Sequence, residues 1–360
     1  MYIISLSDLH LGRGRYLKNG QVNLLEDFFD DEKFYEFCEY YSKGEFEKEK
    51  VHLVLNGDIL NLIQIDVDGV FTNIIDDEIT SKAIHQIVSG HPKFFEGLRK
   101  FLKSPYKEIT YIIGNHDSGM AFVKAQETLK KYVGDELKFA FDVNICGVHI
   151  EHGHRFEVVN TVPNDKYFME GPNGKMILNL PWGSLFCINL LPILRKDRTN
   201  IDKVRPLASY VKWCLVHDTA FFFRLAKNVL TYLVQSNFDE YVRENRNFKT
   251  TISILKQVTI YPLYGRKAKG ILKRHPEIHT VIMGHTHVVE WQRFPENKYY
   301  FNTGTWNYIP QVDLGQIEGR KQFTYVQVRV HEENHQFING TLNIWQGAWK
   351  PYTEEVIATI

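Results

Sequence analysis

The chain has no surplus of charge. Lys+Arg and Asp+Glu both number 43, so no global field draws it to nucleic acid or an anionic membrane, and any such attraction must be local. Basic residues gather only around Arg195 to Arg205, and no nucleic-acid partner is expected. Cysteine is scarce: Cys38, Cys146, Cys187 and Cys214 are far apart and form no CxxC pair, which excludes a zinc knuckle and a disulfide framework and leaves buried thiols in a reducing compartment. No internal repeat is visible. The opening stretch, MYIISLSDLH, lacks a basic leader region and reads directly as a strand, so the expected compartment is the cytoplasm. Long apolar runs are interrupted. Met176 to Leu194 is free of charge, yet Asn179, Pro181, Gly183, Ser184, Asn189 and Pro192 break it, and a transmembrane span is the least favoured reading.

What is present is ordinary globular composition, 44% hydrophobic and 24% charged, enough for a sizeable core. The first half alternates apolar strands with helical stretches: YIISLSDLH, an acidic aromatic segment from Asn23 to Tyr41, VHLVLNGD, Thr80 to Leu102, and ITYIIGNHD. That alternation predicts α/β layering. FAFDVNICGVHIEHGH reads as two strands with a turn between Asn144 and Gly147, and HTVIMGHTH, KYYFNTGTWN and FTYVQVRV supply later strands. Between them lies a long aromatic and apolar segment with helical spacing. The expected domains are therefore a core of residues 1–155 and 276–360 and an inserted helical cap of 156–275. The cap either buries its own apolar faces or also binds acyl chains or a membrane surface, placing the protein peripherally at the inner face of the membrane.

The polar residues that end these strands carry the chemistry. Asp8 and His10 close SDLHLG, Asp58 closes LVLNGD, Asn115 sits in IIGNHD, His152 in IEHGH, and His285 and His287 in VIMGHTH. Carboxylate, imidazole and amide are ligands that Mn, Fe and Zn accept. Asp8 and His10 are two apart, as are His285 and His287, so each pair would share a strand face. Seven ligands are too many for one ion but suit two sites if a carboxylate bridges, and Asp58 is the natural bridge. His217, His275 and His279 lie outside the set.

DLH, GD, GNHD, HGH and GHTH, in this order, resemble the motifs of the calcineurin-like metallophosphoesterase superfamily over residues 1 to about 155 and 276 to about 310. The resemblance implies a four-layer α/β sandwich, two mixed β-sheets flanked by helices, and two divalent metal ions, with Mn the first expectation and Fe, Zn or Mg the alternatives. It implies that one ion is held by Asp8, His10, Asp58 and His287 and the other by Asp58, Asn115, His152 and His285. It also implies hydrolysis of a phosphodiester or pyrophosphate by in-line attack of a hydroxide held between the ions. His116 would give a proton to the leaving oxygen or stabilise the transition state. Asn61 would orient His116, and Asp117 joins this set with anchoring of the turn as its alternative role. His154 is a candidate neighbour of the ligands. NTGTWN, residues 302 to 307, is expected at the rim of the site, with Trp306 a packing residue in the alternative. The apolar insertion is similar to that of the UDP-2,3-diacylglucosamine pyrophosphohydrolases, implying a lipid-linked or bulky nucleotide substrate. A soluble nucleotide or cyclic-nucleotide phosphodiesterase is the second expectation. A nuclease or a protein phosphatase is less favoured, the latter because NGDILNLIQ replaces GDxVDRG.

Overall fold

A computed structural model describes residues 1–17, 19–162, 166–198, 201, 207–236, 263–308, 321–348 and 354–359. Its strands are β1 (Tyr2–Leu6), β2 (Val51–Asn56), β3 (Lys107–Ile112), β4 (Lys138–Ala140), β5 (Asp142–Ile145), β6 (Val148–Glu151), β7 (Phe168–Glu170), β8 (Met176–Leu178), β9 (Thr280–Met283), β10 (Val289–Phe294), β11 (Lys298–Thr303), β12 (Thr324–Val330), β13 (Phe337–Trp345) and β14 (Glu354–Thr359). One mixed sheet runs β14-β13-β12-β1-β2-β3-β4 and a second runs β10-β11-β9-β6-β5. Strands β1 to β4 pair in parallel, and β12 joins antiparallel to β1.

The two sheets face each other because their strands carry apolar residues on both sides. In β1, Ile3 packs between the sheets with Val54, Ile112, Ile150, Ile282 and Phe301, whereas its neighbour Ile4 points the opposite way into a helix-covered core, as the two-residue period of a strand requires. Helices α1 (Asp31–Tyr40), α2 (Asp77–Gly90), α3 (Pro92–Lys103) and α4 (Val123–Val133) supply residues to that outer core. In α3, Phe94, Phe95, Leu98 and Phe101 form a buried stripe. The helical stretch expected from Thr80 to Leu102 is two helices rather than one. Pro92 takes the first position of the second, where its fixed φ and missing N–H are tolerated, and the chain turns at His91. The turn expected near Asn144 to Gly147 is a two-residue hairpin in which Cys146 and Gly147 adopt φ of 48° and 79°. The chain after Tyr308 supplies β12, β13 and β14 to the larger sheet.

The described part of the stretch expected to be inserted is only partly helical. Met176–Leu178, inside the charge-free run, is strand β8 paired with β7. Helices α5 (Trp182–Asn189), α6 (Leu191–Asp197), α7 (Leu207–His217) and α8 (Thr219–Ser236) follow. Leu185, Ile188, Leu191, Leu194, Cys214 and Phe221 bury one another and reach Ile63 and Ile75 of the main body. Arg195, expected in the basic run, is buried and holds Asp27 at 3.0 Å, while residues 199–200 and 202–206 of that run lie outside the described residues, as do 237–262 of the stretch. Helix α9 (Tyr264–Arg274) packs on the outer face of the smaller sheet through Tyr264, Ala268, Ile271 and Leu272, so by packing it goes with the core and not with the other inserted helices. Cys38 and Cys214 are buried free thiols, whereas Cys146 and Cys187 are only half-buried. Among the described residues no helix is long and apolar enough to cross a membrane.

Candidate metal centre

Strand β1 stops at Leu6, β2 at Asn56, β3 at Ile112 and β9 at Met283. Asp8, His10, Asp58, His285 and His287 therefore lie in the loops beyond, and the shared-face expectation for the two pairs gives way to another device. All five adopt left-handed backbone, with φ of 56°, 52°, 52°, 70° and 61°. Such φ values are uncommon for residues with a side chain and cluster at functional sites, where surrounding bonds hold them. Here the holding bonds are visible. The Asp8 N–H donates to Gly57 O at 3.1 Å and the His10 N–H to Asp58 O at 2.9 Å. The His285 N–H donates to Asp8 Oδ2 at 2.9 Å and the His116 N–H to Asp58 Oδ1 at 2.8 Å. Two glycines leave room for this: a Cβ on Gly114 would collide with Asp58 Oδ1, and one on Gly284 would collide with Ser7 Oγ.

The side chains converge in overlapping groups. Ligand atoms of Asp8, His10 and His287 lie within 4.8 Å of one another, as do those of Asp58, His152 and His285, and those of His10, Asp58 and His116. His287 Nε2 is 3.3 Å from Asp8 Oδ1, and His152 Nε2 is 3.2 Å from Asp58 Oδ2. Asn115 is buried at the same loop cluster, and its Oδ1 lacks a hydrogen bond, while Asp8 Oδ1 and His152 Nε2 meet only the other members of the cluster. Buried polar atoms without partners are costly. An open amide oxygen beside ionised carboxylates and imidazoles is a donor set that fits divalent cations.

The electrostatics point the same way. Burial works to raise the Asp8 pKa, but His152 and His287 outweigh it and hold the group at about 2. Burial likewise opposes Asp58, yet His152 and His116 keep it well below the usual carboxylate range. Burial and the neighbouring His116 push His10 down to about 3. Burial lowers His152 too, but Asp58 and Asp8 overcome it and raise that imidazole to about 10. Two buried carboxylates thus stay ionised and draw positive charge.

His116 stacks edge-on to His10 with ring centres 4.5 Å apart, and its Nδ1 lies 2.9 Å from Asn61 Oδ1. Asn61 is held in turn by Gln64, through a 2.6 Å bond from Asn61 Nδ2. Asp117 is placed differently. Its carboxylate turns away into the fold, accepting from Ile59 N, Tyr111 Oη and Gly114 N at 2.9, 2.6 and 2.6 Å. Burial first and Asp58 second push its pKa up to about 7. His154 is buried with its ring 5.4 Å from that of His152, and burial drives its pKa well below the ordinary imidazole value.

NTGTWN lies beneath the loops instead of at their rim. Asn302 Nδ2 donates to Gly284 O at 2.8 Å and Asn307 Nδ2 to Leu9 O at 2.7 Å, while Trp306 is fully buried among Phe34, Phe37 and Phe323. His217, His275 and His279 are engaged elsewhere: His217 against Trp213, His275 with Glu277, and His279 Nε2 at 3.0 Å from Cys146 O. One neighbour of the cluster is not apparent from sequence. Glu157 Oε2 lies 2.9 Å from His285 Nε2, and the only signal available is a carboxylate five residues past His152. A small cleft opens beside Asn115 and His154, with Phe141, Arg155, Tyr167 and Asn179 among its walls.

No family model matches the sequence, and no curated protein matches it. Solved structures do align with it along nearly its whole length. A dimetal phosphatase from Danio rerio is 10% identical over 99% of this chain and 98% of its own, with a TM-score of 0.36. Vps29 from Entamoeba histolytica in complex with Zn is 8% identical over 100% and 98%, at 0.32. A predicted phosphoesterase from Streptococcus pneumoniae is 10% identical over 99% and 97%, at 0.33. TM-scores below 0.5 carry no argument about this chain, and its chemistry rests on its own residues. The fold and site together define a two-sheet α/β sandwich with a paired carboxylate and histidine cluster in the loops at its strand ends.

Proposed function

We propose that the protein is a metal-dependent phosphoesterase whose site takes two divalent cations. The observation that carries this is the pair of ligand groups, Asp8, His10 and His287 beside Asp58, His152 and His285, linked by the overlapping group of His10, Asp58 and His116, with the open Oδ1 of buried Asn115 next to them. Asn115 would complete the second group. Divalent ions bound there lower the pKa of water and neutralise phosphate oxygens.

The chain's own groups then orient the substrate and handle the proton. Asn61 Oδ1 accepts the Nδ1 proton of His116, which leaves Nε2 as the nitrogen that serves the leaving-group oxygen. Burial lowers the His116 pKa and Asp58 pulls against it, the net direction being down. A bound phosphoester brings negative charge that opposes this shift. Asp117 anchors the GNHD turn through its three accepted bonds. The cleft lined by Phe141, Tyr167 and Asn179 is where the part of the substrate beyond the phosphorus would lie.

For the substrate, the reading is a lipid-linked or bulky nucleotide, with a pyrophosphate like that of UDP-2,3-diacylglucosamine as the model compound and Mn as the first metal to test. Its support is the stretch around α5 to α8, whose apolar core abuts the main body and whose surface still exposes Trp213, Val216, Phe223 and Leu230. Such a surface suits acyl chains or a membrane face. The test is phosphorus NMR of the Mn-loaded protein with UDP-diacylglucosamine beside the same UDP-sugar without acyl chains. Preference for the acylated compound with release of UMP is expected. Equal slow turnover would leave the phosphoesterase chemistry and remove the lipid, and no turnover of any phosphoester would remove the activity.

A further inference from the structure

The chain leaving His152 loops back onto the metal centre. Gly153 turns at φ 108°, His154 to Phe156 make one tight helical turn, and the Glu157 N–H closes it on His154 O at 3.0 Å. The largely buried Glu157 carboxylate then meets His285. Its Oε2 is 2.9 Å from His285 Nε2 and also accepts from Asn160 Nδ2 at 2.8 Å. Asn160 Nδ2 itself comes to 3.3 Å of His285 Nε2, but its shorter bond is to the carboxylate. The Asn160 N–H donates to Glu157 O at 3.0 Å, and Val159 O accepts from the Gly183 N–H at 2.7 Å, at the first turn of α5. Glu157 is therefore held by its own loop and by the start of the helical stretch.

An ionised carboxylate can only accept, so the proton in this contact sits on His285 Nε2, and the lone pair of the ring is left on Nδ1. Histidines that ligate metal commonly give their other ring N–H to a carboxylate, which fixes the tautomer and strengthens the ligand. We propose that Glu157 is the positioning residue for the cation position built by Asp58, Asn115, His152 and His285: it fixes His285 as the Nε2–H tautomer with Nδ1 toward the ion, and through Asn160 it ties that position to α5. The proposal rests on the two-metal reading above. Asp8, His10 and His287 have no contact with Glu157 in the described hydrogen bonds, and His285 reaches Asp8 only through its backbone N–H, so the larger effect falls on the position that His285 builds.

The test uses the full-length metal-free protein, titrated with Zn by calorimetry, and long-range proton–nitrogen NMR of its histidine rings before metal is added. The expected result is a protonated Nε2 on His285 in the unsubstituted protein. In Glu157→Ala one of the two ions should bind about 10-fold to 100-fold more weakly, the other being less affected. Glu157→Gln, whose amide oxygen still accepts the proton, should restore most of the lost affinity. A His285 ring protonated on Nδ1, undiminished binding of both ions in Glu157→Ala, or a Gln variant as impaired as the Ala variant would each overturn the proposal. Uptake of a single ion by the unsubstituted protein would instead remove the two-metal reading, and the His285 tautomer would still decide the role of Glu157.

Discussion

The loops that carry the metal centre and the helices α5 to α8 bury polar and apolar groups by opposite rules. In the loops the candidate ligands are mostly buried polar side chains, five of them on left-handed backbone, and bonds such as those from the Asp8, His10 and His285 N–H groups hold the loops together. In the helices the buried residues are almost all apolar, and large hydrophobic side chains remain on the outside. Preorganisation makes a site intolerant of small changes, whereas a helical surface tolerates them. The candidate ligands thus sit on left-handed backbone at Asp8, His10, Asp58, His285 and His287, whereas the helices contribute apolar packing and an exposed apolar surface.

The sharpest break comes from the shared carboxylate. Asp58→Asn should lose both cations, measured by elemental analysis of the dialysed protein, together with all phosphoesterase activity; retention of two ions would move the bridge elsewhere. Next, His116→Ala should keep both ions while turnover falls on the order of 100-fold or more, as for loss of a proton donor. A steady-state assay with unchanged activity would take His116 out of the reaction. Third, Asp27→Ala removes the carboxylate that the buried Arg195 pairs with, leaving it the bond to Leu24 O, and should destabilise the protein by about 3 kcal/mol in urea unfolding, the usual cost of breaking a buried pair. Metal uptake should survive, because the pair lies outside the ligand groups.

A pH effect follows from His91. Burial lowers its pKa, but Asp31 at 3.0 Å from Nδ1 and Glu26 at 3.3 Å from Nε2 pull it up to about 9. A histidine raised in the folded state binds its proton more tightly there than when unfolded, so its stabilisation is complete below about pH 6.5 and is lost as pH rises through about 9. His91→Gln should flatten that part of the stability profile in urea titrations between pH 6 and 10; an unchanged slope would assign it to other groups. The smallest effect belongs to the helical surface. Phe223→Ser should alter unfolding free energy by no more than about 0.5 kcal/mol, yet lower sedimentation with anionic lipid vesicles if the exposed face meets a membrane.

Much of the centre is legible in the chain itself. Apolar strands ending in Asp8, Asp58, Asn115, His152 and His285 are readable because strand patterning and ligand chemistry are both local properties. The two-residue spacing of Asp8 and His10 suggests a shared strand face, but it works through left-handed turns after β1, and φ there is set by bonds from distant loops. Glu157 is invisible for a related reason. Its meeting with His285 joins residues 128 positions apart, and no spacing signals that. The splitting of the helical stretch at Pro92 is a local signal, and proline chemistry alone accounts for it. The packing of helix α9 on the smaller sheet is not local, since an amphipathic helix declares that it has an apolar face and leaves open which surface will cover it.

The layered α/β architecture and the order of the candidate ligand residues are already legible along the chain, because hydrophobic period and side-chain chemistry travel with it. The closing of the sheets brings Asn61 to 2.9 Å from His116, buries Trp306 beneath the loops and carries Glu157 to 2.9 Å from His285. Each of these depends on the distance between segments far apart in sequence, which is fixed only when two sheets close face to face and their loops are bonded into one rigid set.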